Sequence, residues 1–400
     1  MSGVPAKPTA PGASPMRSAF ARGVRNNVLA EFGVQALRFG WMIVLARALR
    51  PQDFGVFKVL LIVGSLAALT TEAGLPEALV QREELTSDHE ATAWWLNFGL
   101  ALLIAGVLYE IAPVVGRVMA MPELDEGVRL ICIPILLEGT AMTSRARLQR
   151  RLSFGWLAMA DVLAESAFIA VALWLLWINR PELSLAGGLA ARYATHAITL
   201  WCIDLYVPDT GPSVPAARDL GRFAGTVFGG RGIYAVSSNL DFILVGRLLG
   251  SSALGFYSMA WDLLRFVPGR LHRVAGTVSF PAFCRMQDDG EKLRRVYREF
   301  FSYLARLVLP IMVCGAIAAP ELMRTVYGPQ WMPAVTPLRL LAVGLSLAGL
   351  RIAIGPIYLA KNRPSFDILL HGGRCGLVAM AVFIAAAGGL FGVSAAMSAV

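Results

Sequence analysis

Apolar runs of about twenty residues follow one another along this chain, separated by short breaks that carry much of its charge. The pattern places membrane-length helices near 27–46, 56–80, 91–116, 128–144, 155–178, 184–203, 223–246, 253–280, 299–320, 334–359 and 367–389. A twelfth run opens at Phe391 and reaches Val400. Two of the breaks repeat each other. Residues 43–57 read IVLARALRPQDFGVF and residues 243–257 read ILVGRLLGSSALGFY, so Ile43, Arg47, Leu49 and Gly55 recur as Ile243, Arg247, Leu249 and Gly255. Further on, Met121-Pro122 with Arg129-Leu130 is echoed by Met332-Pro333 with Arg339-Leu340. Six spans separate the two copies, which gives both the same direction through the membrane.

The expected fold is an all-α integral membrane protein of two pseudo-symmetric six-helix lobes around a central cleft, with about eleven complete spans and a truncated twelfth. Residues 1–26 read as a disordered cytoplasmic tail and 27–207 as the N-terminal lobe. Residues 208–222 read as a cytoplasmic linker and 223–400 as the C-terminal lobe.

Composition agrees. The chain is 56% hydrophobic and 16% charged, against about 25% charged in soluble proteins. The first residues are rich in Pro, Ala, Ser and Gly without an apolar core, so they are not a signal peptide. The net charge of +9 follows topology. Basic residues gather in alternate breaks, as at Arg145, Arg147, Arg150 and Arg151, or Lys292, Arg294, Arg295 and Arg298. By the positive-inside rule these breaks and the N-terminus are cytoplasmic, and no nucleic-acid partner is needed. Cysteines and histidines are scattered singly, so no metal site is expected. No lysine follows a glycine, which excludes a phosphate-binding loop for ATP. Extramembrane segments are too short for a catalytic domain. No enzyme activity and no cofactor are expected.

Ionisable groups inside apolar spans need each other or a polar cavity. In span one, Asn27, Glu31, Gln35 and Arg38 fall within an arc of about 80°. In span seven, Arg231, Tyr234, Ser238 and Asp241 do the same. The two stripes are equivalent under the repeat and are expected to face the cleft. Span eight carries Asp262, Arg265, Arg270 and Arg273, with Pro268-Gly269 expected to interrupt the helix. Arginine suits bidentate grip on phosphate. Candidate substrate ligands are therefore Arg38, Arg231, Arg265, Arg270, Glu31, Gln35 and Asp241. Against this, Arg273 could snorkel to headgroups and Asp262 could simply neutralise Arg265. Asp161 and Glu165 in span five form an i, i+4 carboxylate pair. They are candidates for ion coupling, or else partners of the Arg145 to Arg151 cluster.

Several short motifs occur in a fixed order. They are Pro51-Gln52-Asp53-Phe54-Gly55, Glu72-Ala73-Gly74-Leu75 and Ala78-Leu79-Val80-Gln81-Arg82 in the first half. In the second half come Asn239-Leu240-Asp241, Ala253-Leu254-Gly255-Phe256-Tyr257-Ser258, Phe280-Pro281-Ala282 and Tyr327-Gly328 with Trp331-Met332-Pro333. In these the chain resembles bacterial Wzx-type polysaccharide transporters of the multidrug/oligosaccharidyl-lipid/polysaccharide flippase superfamily. The resemblance implies a multi-pass bacterial inner-membrane flippase for polyprenyl-pyrophosphate-linked oligosaccharide, serving O-antigen, capsule or exopolysaccharide synthesis by alternating access. Its partners would be the lipid-linked substrate and the bilayer, with a polysaccharide polymerase and a chain-length regulator as further candidates. It also implies a complete twelfth span, so the chain reads as truncated. Two rival readings are a drug/cation antiporter of the same superfamily and a membrane polysaccharide polymerase or glycosyltransferase. The arginines argue against the first, and the lack of a long outer loop against the second.

Overall fold

Prolines and left-handed residues decide where the apolar runs become separate helices. In the computed structural model the backbone is described at residues 37–284, 290–350 and 365–399, with Gly33, Gln35 and Met286 besides. Side chains are described at all of these except 266–282, 284, 348–350, 365–372, 375 and 399. Helix α1 (37–48) runs to the first repeat turn. There Pro51 occupies the first helical position and Asp53 accepts the Arg50 N–H at 2.8 Å, which starts α2 (Pro51–Glu72). Helices α3 (Leu75–Gln81), α4 (Ser87–Met119), α5 (Glu123–Arg150), α6 (Phe154–Trp177) and α7 (Pro181–Ile203) complete the first half. In the second half α8 (Val214–Cys284) is followed by α9 (Gly290–Ile317), α10 (Ala319–Leu322), a π-turn at Met323–Tyr327 and a 3-10 turn at Pro329–Ala334. Then come α11 (Val335–Leu350), α12 (Ser365–Ala385) and α13 (Gly389–Ala399).

No strand occurs among the described residues, and seven stretches of helix there are long and apolar enough to cross a membrane. The others fall short for physical reasons. Helix α7 has the length but carries Arg192 and His196 mid-course, and α11 has 16 described residues. The outer faces are apolar, as with Leu102, Leu103 and Ile133, the inverse of a water-soluble surface. This is a multi-pass, all-α membrane protein.

Two expected features are placed differently. The single span at 56–80 is two helices, because Ala73 and Gly74 are both left-handed, at φ 46° and 76°. Gly74 also lets α8 in: a Cβ there would stand 2.6 Å from the Ala224 carbonyl oxygen. Pro268-Gly269 does not interrupt its helix, whose backbone stays helical from 251 to 284. The break lies at Gly250 (φ 85°, ψ 176°), inside the second repeat turn. Of the expected linker, residues 214–222 are helical. Leu220 buries with Ala224 among Leu75, Ala78, Leu79, Ala93 and Ala146 of the first half.

The repeat is visible as contact. A Cβ on Gly55 would lie 1.9 Å from the Ser251 carbonyl oxygen, and a Cβ on Gly255 would lie 1.9 Å from that of Pro51. Each turn therefore seats its glycine on the other's backbone, as a two-fold axis between them requires. The loops beyond α4 and α10 cross over reciprocally. Trp331 Nε1 and Gln330 Nε2 donate to the Ala46 carbonyl at 2.8 and 2.9 Å. At the equivalent Gly246, Met119 and Met121 from the first half fill the space. Arg47, a position both copies keep, reaches beyond its own turn. It donates from Nε to Val326 O at 2.8 Å and from Nη2 to Thr325 O, in the other half's π-turn.

Candidate functional site

Five helices bring charge into the middle of the membrane. At a rise of about 1.5 Å per residue from the repeat turns, Lys58 lies about 10 Å in, Asp241 about 13 Å, Arg38 about 15 Å, Asp262 about 17 Å and Arg265 about 21 Å. Counting likewise from the same face, Arg192 lies about 16 Å in and Glu165 about 18 Å. All sit near the middle of a hydrocarbon layer about 30 Å thick.

On the first-half side, Glu165 is 2% exposed and is the hub. Arg38 Nε donates to it at 2.9 Å and Trp41 Nε1 at 2.8 Å, while Arg192 Nε stands 3.9 Å away. Trp41 is fixed against Phe168 and Phe57, which orients the carboxylate. Two guanidinium groups share one carboxylate, so the cluster keeps a positive surplus. The Arg38 side chain is 42% exposed, so part of that charge faces open space. Asp161 points elsewhere. It lies 3.6 Å from His196 Nε2, whose Nδ1 meets Glu138 Oε1 at 2.7 Å. The two carboxylates one turn apart thus serve different networks, and neither pairs with the Arg145 to Arg151 cluster. Glu138 and Glu72 line a cavity of about 10 Å3 with Thr71 and Tyr193, room for one water at most.

Between the halves, Lys58 Nζ reaches both carboxylate oxygens of Asp262 at 3.0 and 3.2 Å. It also stands 4.2 Å over the Phe242 ring. Asp262 therefore pairs with Lys58 and not with Arg265. Arg265 is exposed and has no ion pair or hydrogen bond among the described residues. Arg231, expected deep in the cleft, turns toward the first half, where Nη1 meets Glu77 at 2.6 Å and Glu72 at 4.0 Å. Asp241 is 3% exposed and accepts the Tyr257 hydroxyl at 2.9 Å. It faces the second half's aromatic core of Phe242, Tyr257 and Trp261. Gln35 is half-buried on α1's approach. Glu31 and the side chain of Arg270 lie outside the described residues.

The Arg145 to Arg151 cluster works as a clamp at the opposite face. Arg147 bridges Glu90 and Asp204 at 3.0 and 2.8 Å. Arg150 Nη1 gathers the Leu79 carbonyl at 2.7 Å and those of Val80 and Arg82, the unpaired acceptors where α3 ends. Burial and the neighbouring Glu90 carboxylate push the Tyr206 phenol up to about 12 against the pull of Arg147, so it stays neutral beneath that guanidinium.

Sequence reasoning did not single out Lys58, Trp41, Glu138, Arg192 or His196. Lys58 and Arg192 carried the signal, each a lone cation inside an apolar run.

A family described as polysaccharide biosynthesis protein matches residues 44–336. The lipopolysaccharide biosynthesis protein WzxC of Escherichia coli (strain K12) is 24% identical over 354 residues, covering 87% of this chain and 71% of that protein. The succinoglycan biosynthesis transport protein ExoT of Rhizobium meliloti (strain 1021) is 28% identical over 327 residues, covering 80% of this chain and 65% of that protein. The chain thus spans roughly two thirds of these relatives' length. In three dimensions it is similar to the lipid II flippase MurJ in an inward closed conformation, with a TM-score of 0.76 at 13% identity over 93% of this chain and 84% of that one.

Proposed function

The chain belongs to the polysaccharide biosynthesis protein family, and we propose that it is a flippase for polyprenyl-pyrophosphate-linked oligosaccharide. The observation that carries this reading is the cationic surplus at mid-membrane. Arg38 and Arg192 share one carboxylate, and Arg265 is exposed without a partner among the described residues, while Lys58 between the halves is balanced by Asp262. Such a surface suits an anionic headgroup and disfavours a cationic drug. The relatives' names, one of them a transport protein, support the same substrate class.

In this reading the arginine-rich face is cytoplasmic, together with the N-terminus, and the repeat turns face outward. The lobes are 27–207 and 223–400, joined through 208–222. Arg38 and Arg265 grip the pyrophosphate, Gln35 extends the polar wall, and the prenyl tail stays in lipid. Arg231, half-exposed against Glu77 toward the cytoplasmic side, receives the headgroup first. Glu31 and Arg270 complete the stripe. Asp241 positions Tyr257, and Glu165 orients Arg38. Ion coupling falls to Asp161 with His196 and Glu138. The reaction is movement without covalent chemistry, and product passes to a polymerase governed by a chain-length regulator.

The test is complementation of a deletion strain. The Arg38→Ala, Arg265→Ala double variant, at wild-type membrane abundance, is expected to lose surface polysaccharide. Normal polysaccharide would remove these two residues from the site, and drug export without polysaccharide would replace the reading.

A further inference from the structure

Helix α2 and the second part of α8 meet at the reciprocal glycine contact, and one ion pair joins them deeper in. Its two members differ. The Lys58 side chain is 14% exposed, and both oxygens of one carboxylate together with an aromatic face surround its ammonium. Asp262 is 46% exposed, so its own carboxylate is not held by burial and can turn away once another anion meets Lys58. A buried mid-membrane ammonium cannot lose its counter-ion unless another takes its place. The exposed Arg265 follows Asp262 by three residues, close to one helical turn.

We propose that Lys58 is a ligand of the substrate's pyrophosphate, masked by Asp262 in the empty carrier. This rests on the flippase reading above and deepens it. A pyrophosphate esterified at both ends carries two negative charges and presents oxygens along its length. It can meet Lys58 and Arg265 together, which a single carboxylate cannot do. The exchange balances: the empty site holds Lys58 with Asp262, and the loaded site holds Lys58 and Arg265 with the dianion. Asp262, repelled by the phosphates, turns to water. On release it reclaims Lys58, so the ammonium is never left unpaired. Asp262 is thus a built-in competitor that lowers headgroup affinity and helps product leave. The Phe242 ring keeps Lys58 in place through the exchange.

The experiment measures binding of farnesyl pyrophosphate to the purified full chain in detergent by tryptophan fluorescence, with farnesol as control. Removing the mask in Asp262→Asn is expected to tighten binding about tenfold, and Lys58→Met to weaken it about tenfold, the scale of one charged hydrogen bond. The Lys58→Met, Asp262→Asn double variant removes both charges and carries the test where Lys58→Met alone does not fold. It is expected to bind as weakly as Lys58→Met. Equal weakening by Asp262→Asn and Lys58→Met, or no change in either while wild type binds, overturns the exchange and leaves a structural pair. A folded wild type that binds the pyrophosphate no better than farnesol refutes the flippase reading itself, and the inference with it.

Discussion

Placing a methyl group on either repeat glycine tests the two-fold contact directly. A Cβ at Gly55 or Gly255 stands 1.9 Å from a backbone oxygen, whereas ordinary contact begins at 3.4 Å. The backbones must therefore part locally by about 1.5 Å, because the obstacle is main chain and cannot rotate away. Overpacking of this kind costs about 1–3 kcal/mol, which shifts a closed-to-open equilibrium by roughly 5- to 150-fold. In a cysteine-depleted background, Ser251→Cys reports the change through labelling by a membrane-impermeant maleimide. Gly55→Ala is expected to accelerate labelling, and Gly255→Ala with Pro51→Cys to do so by a similar factor. Unchanged labelling in both, or a strong effect in one alone, would refute the symmetric seal.

Two further outcomes follow from the polar networks. Glu165→Ala strands Arg38, Arg192 and the Trp41 N–H at mid-membrane, and should cost about 3–5 kcal/mol of stability, read as a lowered melting temperature in detergent; Glu165→Gln should cost less, because it retains an acceptor for Trp41. Arg150→Ala frees the carbonyls at the end of α3, so amide exchange should rise at 79–86 while α6 and α7 stay protected.

The all-helical, multi-pass plan was legible because apolar periodicity and the repeat are properties of the chain itself. The repeat did not by itself announce that its copies touch. Yet Gly55 and Gly255 are among the four identical pairs of the repeat, and close backbone approach is what a glycine pair permits. Hydropathy merged α2 with α3 because Leu75, Leu79 and Val80 continue the apolar run, while the stop is conformational and sits at Ala73 and Gly74. Pro268 misled in the opposite direction, since proline is tolerated within membrane helices.

Partners within the site were the least legible. Glu165 finds Arg38, 127 residues away, instead of the nearer arginine cluster, and Asp262 finds Lys58, 204 residues away. Local spacing fixes which residues share a helix face but not which helix that face meets. The Arg231 and Asp241 stripe shows this well. Its two ends meet α3 and the Tyr257 core, where a regular stripe promised a single cleft.

The most direct test of the account is transbilayer movement in proteoliposomes containing the purified chain and a fluorescent polyprenyl-pyrophosphate-linked sugar, followed by quenching from one side with an impermeant reductant. The account predicts that wild type makes the protected pool accessible, and that Arg38→Ala with Arg265→Ala leaves it protected as in protein-free vesicles. Equal movement in wild type and the double variant would contradict the site, and a protected pool in wild type would contradict the function.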